Sequence, residues 1–200
     1  MISNGLANFK DKRIVLLQGP VGPFFRRLAK DLTWAGASVC KINFNGGDWL
    51  FFPEDATAFT GTPNEWPAFF EQFLLEKKID LVLLFGDCRP IHTAAHAIAE
   101  KLGLDVGVFE EGYVRPDYIT LERTGVNARS SLPKTPIFYL NAQQIPAHPE
   151  PIPVGHPFKF TALWAILYYA ASHALRPFFP NYKHHRPLNI CEGLYWLRSS

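Results

Sequence analysis

The chain has 200 residues, of which 48% are hydrophobic and 14% aromatic, and it carries a formal net charge of +2. This length and apolar content favour one packed domain, or one domain with part of another, and exclude an intrinsically disordered chain. The small net charge and the lack of an RNA-binding signature argue against a nucleic-acid partner. Three widely spaced cysteines are typical of buried thiols in a reducing compartment rather than of a disulfide framework: Cys40, Cys88 and Cys191.

The first 110 residues alternate short apolar runs with segments of helical spacing. The pattern predicts strands at residues 13–18, 39–44, 81–85 and 106–109, and helices at residues 24–34, 67–78 and 90–102. Between them, Asn45-Gly46-Gly47-Asp48 is predicted to be a turn and residues 51–62 an irregular excursion. This β-α-β-α-β-α-β order predicts an α/β protein with a Rossmann-like, parallel, three-layer domain.

The regular pattern dissolves after residue 122, and we divide the chain accordingly. Residues 1–128 are predicted to form the Rossmann-like domain, residues 129–157 a proline-rich excursion, and residues 158–200 a helical segment. The apolar stretch at residues 160–175 is shorter than the roughly 20 residues that a membrane span needs. Its aromatic residues and basic flanks suit a helix lying in a membrane interface, and a buried helix packed on a second domain is the alternative.

Two loops that follow the first strands are candidates for ligand contacts, because open α/β sheets bind ligands beyond the carboxyl ends of their strands. In the first loop, Gln18 and Gly19 lead to a helix N-terminus that suits an anion, but the loop matches no nucleotide-binding motif and the sequence favours a plain strand-to-helix turn. In the second loop, Asn45 and Asp48 suit sugar hydroxyl groups and Trp49 offers a stacking face. The same residue types also build ordinary tight turns, so both interpretations stay open.

The third loop, Gly86 to Pro90, places an acidic residue and a basic residue between a strand and a helix. Asp87 is a candidate for a catalytic or sugar contact, and Arg89 for a phosphate contact. His92, in the first helical turn, is a further candidate for ligand binding. His92 and His96 have the i, i+4 spacing of metal ligands but lack the glutamate of an HExxH motif, so we predict no metal there. Cys88 is interpreted as an ordinary thiol rather than a nucleophile.

The fourth loop is the most informative part of the sequence. The apolar run at residues 106–109 leads directly into Glu110 and Glu111, and Arg115 and Asp117 follow within six residues. Adjacent carboxylates suit acid/base or nucleophilic chemistry, and an arginine can hold a phosphate or carboxylate bidentately. The alternative is structural, with Glu110 or Glu111 capping a helix or pairing with Arg115.

Four motifs, in this order, resemble the capsule polysaccharide biosynthesis/export family of the KpsS type. They are Q-G-P-V-G-P-F-F-R-R-L-A, K-I-N-F-N-G-G-D-W, L-F-G-D-C-R-P-I-H and F-E-E-G-Y-V-R-P-D-Y-I-T-L-E. The resemblance implies a two-domain GT-B-like glycosyltransferase of about twice this length, of which this chain is the N-terminal, acceptor-side half. It also implies retaining β-Kdo transfer from CMP-Kdo to a (lyso)phosphatidylglycerol-type lipid, which starts the poly-Kdo linker.

The resemblance carries over to individual residues of the fourth motif. Related transferases have E-D-G-F-x-R, so Glu111 stands where their proposed nucleophilic aspartate lies, and Arg115 matches the motif arginine. Glutamate in place of aspartate moves the carboxylate by about 1.5 Å, a distance that matters for attack geometry. Asp87 is the candidate for a base or hydroxyl contact, with Glu110 and Asp117 as further substrate contacts.

The same resemblance predicts partners and location. It implies no cofactor and no metal, a nucleotide sugar and a lipid acceptor as substrates, and other capsule biosynthesis or export proteins as partners. The chain begins without a secretory signal pattern. The expected location is the cytoplasm, bound peripherally to the inner face of the bacterial inner membrane. Two alternatives stay open, namely a GT-B transferase that uses another nucleotide sugar and a non-catalytic assembly or export component.

Overall fold

The computed structural model of the protein describes residues 7–112, 118–141 and 157–184. Strands and helices alternate through most of this region. The strands are β1 (Arg13–Leu16), β2 (Ser38–Asn43), β3 (Ala56–Ala58), β4 (Leu81–Phe85), β5 (Asp105–Glu111) and β6 (Ile119–Arg123). The α-helices are α1 (Phe24–Trp34), α2 (Gly46–Phe51), α3 (Trp66–Glu76), α4 (Pro90–Lys101), α5 (Pro136–Leu140) and α6 (Pro157–Ala174).

The six strands form one sheet in the order β3-β2-β1-β4-β5-β6. The first five strands are parallel, and β6 pairs antiparallel with β5. The predicted Rossmann-like α/β class is therefore confirmed. The sequence predicted four of these six strands and missed β3 and β6. Strand β3 is only three residues long and lies where an irregular excursion was expected. Strand β6 follows a segment that was interpreted only as a loop.

Hydrophobic cores cover both faces of the sheet and make three layers. Along β1, Ile14 and Leu16 pack on one face against α1, whereas Val15 and the following Leu17 pack on the other face with α3 and α4. All four side chains are completely buried. Burial on both faces explains why β4 is apolar throughout and β1 is apolar after Arg13, without alternating polar residues.

The sequence Asn45-Gly46-Gly47-Asp48 is not the isolated turn that was predicted, because it begins the short helix α2. The Asn45 side chain caps this helix by accepting a hydrogen bond from the Asp48 backbone N–H at 2.9 Å. A Cβ atom on Gly46 would lie 2.6 Å from the Leu175 Cβ. A Cβ atom on Gly47 would lie 2.5 Å from the Tyr168 ring. The glycine pair thus permits close approach of α6, which is a packing role rather than a turn role.

Helix α6 packs on α2 along one side and leaves the other side open. Tyr168 is buried, and Ser172 Oγ accepts a hydrogen bond from the Gly47 backbone N–H at 3.1 Å. Large apolar side chains on the open side are 42–57% exposed: Phe160, Leu163, Ile166 and Leu167. Of the helices in the described part of the chain, none is long and apolar enough to cross a membrane.

Candidate functional site

The carboxyl ends of β4 and β5 bring three acidic residues to one edge of the sheet. The two strands pair through Phe85 and Phe109, and the Gly86 N–H donates to the Phe109 carbonyl at 2.8 Å. The loops that follow the two strands are therefore neighbours. We call their three acids the carboxylate cluster: Asp87, Glu110 and Glu111. Sequence reasoning placed these acids in separate loops at the same edge, and the structure places those loops side by side.

Asp87 is 5% exposed, and the surrounding protein holds its carboxylate. Its Oδ2 accepts a hydrogen bond from the Val126 N–H at 3.3 Å, and its Oδ1 lies 3.2 Å from the Cys88 thiol. Hydrogen bonding to Asp87 and its negative charge together raise the pKa of Cys88. Because thiolate is the reactive form of cysteine, this environment favours the interpretation of Cys88 as an ordinary thiol.

Glu110 and Glu111 differ in their surroundings. Glu110 is half-buried, and its Oε1 accepts a hydrogen bond from the Glu111 backbone N–H at 2.9 Å. Its Oε2 accepts a second one from Asn127 Nδ2 at 3.3 Å. Glu111 is the last residue of β5 and its side chain is exposed. Of these two glutamates, Glu111 is therefore the more accessible to an incoming substrate.

Arg89 links the third loop to the first. Its Nη1 donates to Gln18 Oε1 at 2.9 Å and lies 3.3 Å from the Gly19 carbonyl oxygen. One edge of the guanidinium group is thus used to join the loops that follow β1 and β4. Gln18 and Gly19, both predicted to contact a ligand, accept these contacts from Arg89. Phosphate binding by Arg89 stays a prediction.

A second group of polar residues lies where the C-terminal part of α6 and the residues after it pack on the loops that follow β1 and β2. We call it the buried polar cluster: Gln18, Asn45, Asp48, Tyr168, Ser172 and Tyr182. The Tyr168 hydroxyl donates to Asp48 Oδ1 at 2.9 Å and accepts from Asn45 Nδ2 at 2.8 Å. Gln18 Nε2 donates to the Tyr182 hydroxyl at 2.9 Å. Gln18, Asn45 and Asp48 are at most 5% exposed. These three residues were predicted to contact a ligand, Gln18 in the anion-suited first loop and Asn45 and Asp48 at sugar hydroxyl groups. In the structure their side chains bind one another and the two tyrosines, so they hold α6 in place, and their ligand contacts stay predictions.

Lys41, on β2, is a buried charge that sequence reasoning missed. The side chain is 3% exposed, and Nζ donates to the Ile42 carbonyl at 2.6 Å. Burial lowers the pKa of Lys41 to about 8, although the negative charge of Asp48 opposes this shift. The available signal was a lysine inside the apolar run of the second predicted strand. A lysine there, on a strand covered on both faces, is largely shielded from water.

The hydroxyl groups of the buried Tyr168 and the half-buried Tyr182 predict a loss of stability at alkaline pH. Burial, and next the charge of Asp48, raise the pKa of Tyr182 from 10.0 to about 12, and the pKa of Tyr168 is also raised. A group with a raised folded-state pKa stabilises the fold below its unfolded pKa, and this contribution disappears as pH rises through the folded value. Between pH 10 and 12 we therefore expect the Tyr182 contribution, up to about 3 kcal/mol, to be lost.

Urea unfolding at pH 8, 10 and 11 measures this loss, with Tyr182→Phe as the test variant. The variant is expected to lose less unfolding free energy over this pH range than the wild type. Tyr139→Phe, at an exposed tyrosine on α5, is the matched control and should follow the wild type. Other groups that titrate in this range contribute equally to all three proteins. Identical pH dependence of wild type and Tyr182→Phe would contradict the assignment.

The two histidines of α4 each lie close to a backbone carbonyl oxygen. His92 is completely buried, and its Nδ1 lies 2.5 Å from the Gly86 carbonyl oxygen. His96 Nε2 lies 2.6 Å from the Thr124 carbonyl oxygen. Both rings thus contact backbone carbonyls, and His92 supports the turn before Asp87 from inside the core. Among the described residues, no group of three or more histidine, cysteine or acidic side chains is arranged to hold a metal ion.

Two of the predicted site residues, Arg115 and Asp117, lie outside the described residues, and their roles stay predictions. In contrast, the structure adds two residues that sequence reasoning did not select. Asn127 and Arg129 follow β6, and Arg129 Nη1 lies 3.4 Å from the Asp87 carbonyl oxygen. The Gly-Val-Asn sequence at residues 125–127 was the available signal, because glycine and asparagine mark a sharp change of chain direction.

A family model described as "Capsule polysaccharide biosynthesis protein" matches residues 80–197, which include β4, β5 and the carboxylate cluster. The match spans more than half of the chain. The chain belongs to this family. The resemblance found from the four motifs is therefore confirmed at the level of the family.

Curated family relatives match almost the whole chain. The identity is 41% over 199 residues to the capsule polysaccharide modification protein LipB of Neisseria meningitidis serogroup A, covering 94% of this chain and 47% of LipB. It is 38% over 197 residues to the capsule polysaccharide export protein KpsS of Escherichia coli, covering 94% of this chain and 49% of KpsS. The chain thus spans about half the length of these family relatives.

Solved structures show partial likeness to this family member. The UDP-GlcNAc 2-epimerase of Methanocaldococcus jannaschii aligns with a TM-score of 0.41 and 21% identity, covering 52% of this chain and 32% of the epimerase. Staphylococcus aureus MnaA with UDP aligns with a TM-score of 0.40 and 18% identity, covering 48% of this chain and 28% of MnaA. The assignment of the fold depends on the strand order of the sheet itself.

Proposed function

We propose that this chain carries the catalytic carboxylate of a capsule polysaccharide glycosyltransferase. The reaction would transfer Kdo from CMP-Kdo to a (lyso)phosphatidylglycerol-type lipid with retention of configuration, and so start a poly-Kdo linker. The observation that carries the proposal is the exposed Glu111 at the carboxyl end of β5, next to Glu110 and Asp87, in a member of the capsule polysaccharide biosynthesis family. Ligands of open α/β sheets bind at this edge.

The proposed mechanism is a double displacement. The Glu111 carboxylate attacks the anomeric carbon of Kdo, and CMP leaves with the electron pair of the broken C–O bond. A hydroxyl group of the lipid then attacks the same carbon, and the glutamate leaves. Two inversions at one carbon give net retention. Asp87 takes the hydroxyl proton or contacts that hydroxyl, and Arg115 binds the carboxylate of Kdo or a phosphate. The protein groups need no metal ion for these steps.

The nucleotide of the donor is assigned to a second domain. The chain spans about half the length of its relatives, and GT-B-like transferases bind their two substrates between two Rossmann-like domains. In this arrangement residues 1–128 form the acceptor-side domain. The donor contacts then come mostly from the other domain, which explains why the loops that follow β1 and β2 need not bind a nucleotide.

Transfer of Kdo by the complete gene product tests the proposal. The protein is incubated with CMP-Kdo, generated in situ, and a fluorescent phosphatidylglycerol analogue, and the lipid is analysed for a Kdo mass increment. Parallel reactions with UDP-sugars test the alternative donor. Product with CMP-Kdo alone supports the proposal, whereas product with a UDP-sugar alone keeps the transferase and replaces the donor.

A non-catalytic role in assembly or export is the second candidate, and the name of the Escherichia coli relative, an export protein, favours it. The two candidates differ in turnover. Absence of product with every donor and lipid, from a protein that is folded and complete, would favour the export role. Any donor-dependent lipid product would favour the transferase.

Peripheral membrane binding through α6 belongs to the same proposal. The open side of α6 is apolar, and residues 157–184 contain no acidic residue but carry Lys159, Arg176 and Lys183. Such a helix suits the interface of an anionic membrane. The carboxylate cluster would then lie on a protein held near its lipid acceptor at the inner face of the bacterial inner membrane.

We expect flotation with phosphatidylglycerol-containing vesicles to recover the wild-type protein and to recover about tenfold less of a Leu163→Glu, Leu167→Glu variant, because two apolar anchors are lost. Leu75→Glu, at a leucine on α3 that is 60% exposed, is the matched control and should float like the wild type. Equal recovery of all three proteins, or recovery of none, would contradict binding through α6.

A further inference from the structure

The chain segment that follows β6 turns back onto the carboxyl ends of β4 and β5. Val126 is 1% exposed, and its N–H donates to Asp87 Oδ2 at 3.3 Å. Gly125 has no room for a side chain, since a Cβ atom there would lie 2.7 Å from the carbonyl oxygen of Arg129. The segment is therefore held tightly against the loop that carries Asp87.

Asn127, within this segment, binds Glu110 directly and is connected through it to the backbone of Glu111. Its Nδ2 donates to Glu110 Oε2 at 3.3 Å, and Glu110 Oε1 accepts from the Glu111 N–H at 2.9 Å. Both oxygens of Glu110 thus receive a donor, one from Asn127 and one from the backbone of Glu111. These contacts form a continuous path from the asparagine amide, through the Glu110 carboxylate, to the residue assigned as nucleophile.

The backbone of Asn127 has a φ of 54°, in the left-handed region. Glycine adopts this conformation most easily, and asparagine is the side-chain-bearing residue that tolerates it best. An asparagine here accepts some backbone strain and gains an amide donor directed at Glu110. A donor on each oxygen restricts rotation of the Glu110 carboxylate, and Glu110 in turn fixes the peptide N–H of Glu111.

We propose that Asn127 is a positioning residue of the carboxylate cluster, which orients Glu110 and, through it, Glu111 for attack. This inference rests on the proposed function, because it gives Asn127 a role in the reaction assigned to Glu111. Asn127 acts on the chemical step and not on substrate affinity. Its loss therefore lowers kcat and leaves KM nearly unchanged, since a misplaced nucleophile reduces the rate of attack.

The kinetic test uses Asn127→Asp and Asn127→Gly in the complete gene product. Asn127→Asp replaces the donor by a second carboxylate and is expected to lower kcat by about 100-fold, with KM for CMP-Kdo within about threefold of the wild type. Asn127→Gly removes the amide and relieves the backbone, so we expect kcat to fall by about tenfold while the melting temperature is equal or higher. Loss of a merely structural residue would instead lower the melting temperature.

Asn8→Asp is the matched control, because this exposed asparagine precedes β1 and so lies near the amino ends of the parallel strands, opposite to the carboxylate cluster. It should leave kcat, KM and melting temperature unchanged. Values of kcat within twofold of the wild type in both Asn127 variants would overturn the inference while leaving the proposed function intact.

A second measurement does not depend on turnover. In the NMR spectrum of the protein, the Asn127 side-chain amide resonances should move on Glu110→Ala, whereas those of Asn8 should stay in place. Unmoved Asn127 resonances would overturn the inference. If the wild type shows no transfer at all, the proposed function fails. The positioning role fails with it, and the amide resonances still show whether Asn127 holds Glu110.

Discussion

Glu111→Gln is expected to lower the rate of Kdo transfer by at least about 1,000-fold, because a carboxamide of the same shape cannot act as the attacking carboxylate. Glu111 is exposed at the end of β5, so the substitution leaves the apolar core unchanged. The melting temperature should therefore stay close to that of the wild type. Time courses of lipid product, read by mass increment in the complete gene product, measure the rate.

Two further variants make the result specific. Glu110→Gln is the matched control at the neighbouring, half-buried carboxylate, and we expect a smaller loss because Glu110 orients the site without attacking the sugar. Glu111→Asp withdraws the carboxylate by about 1.5 Å and should cost about 10- to 100-fold in kcat. Transfer by Glu111→Gln within tenfold of the wild type would move the nucleophile elsewhere, with Asp87 and then Asp117 as the next candidates.

Asp48→Ala should produce the largest loss of stability, because one buried carboxylate receives several donors. Oδ2 accepts from the Phe44 N–H at 3.0 Å and lies 3.3 Å from Gln18 Nε2, while Oδ1 accepts from the Tyr168 hydroxyl at 2.9 Å. Alanine would leave these donors without an acceptor in a site that is 5% exposed. We expect a loss of roughly 3–5 kcal/mol in the free energy of unfolding.

Urea denaturation followed by far-UV circular dichroism measures this loss. Asp105→Ala is the matched control, since Asp105 is the exposed first residue of β5. An exposed substitution of this kind should change the free energy of unfolding by no more than about 0.5 kcal/mol. A loss below about 1 kcal/mol for Asp48→Ala would contradict a buried carboxylate that organises the contact between α2 and α6.

Elements with a clear apolar pattern were predictable from the sequence. Helix α1 has the predicted bounds, Phe24 to Trp34, and β4 has the predicted bounds, Leu81 to Phe85. Strand β3 was not predictable because three residues carry no period, and its Ala-Thr-Ala sequence has little apolar surface. Strand β6 was missed because it lies at the edge of the sheet, where all five residues are at least partly exposed and no buried face marks the strand.

The candidate site was also predictable only in part. The adjacency of the loop of Asp87 to that of Glu110 and Glu111 was predictable, because carboxyl ends of neighbouring parallel strands lie at one edge. The burial of Asp48 was not, because the covering residue, Tyr168, is 120 positions later in the chain. Local patterns report how a segment can fold but not which distant segment will cover it. Polar residues at a strand end look the same whether they face a ligand or a helix.

The contact between the Gly46-Gly47 pair and α6 has a consequence for how the chain is made. Residues 1–128, which contain every strand that the structure describes, are synthesised before Tyr168. During that interval Gln18 and Asp48 have none of their tyrosine partners, and the edge of the newly formed sheet is open to water. The folding unit is thus discontinuous in sequence, and its last stabilising step waits for residues 157–182. A shortened chain that ends at residue 128 would stop permanently at that unfinished stage.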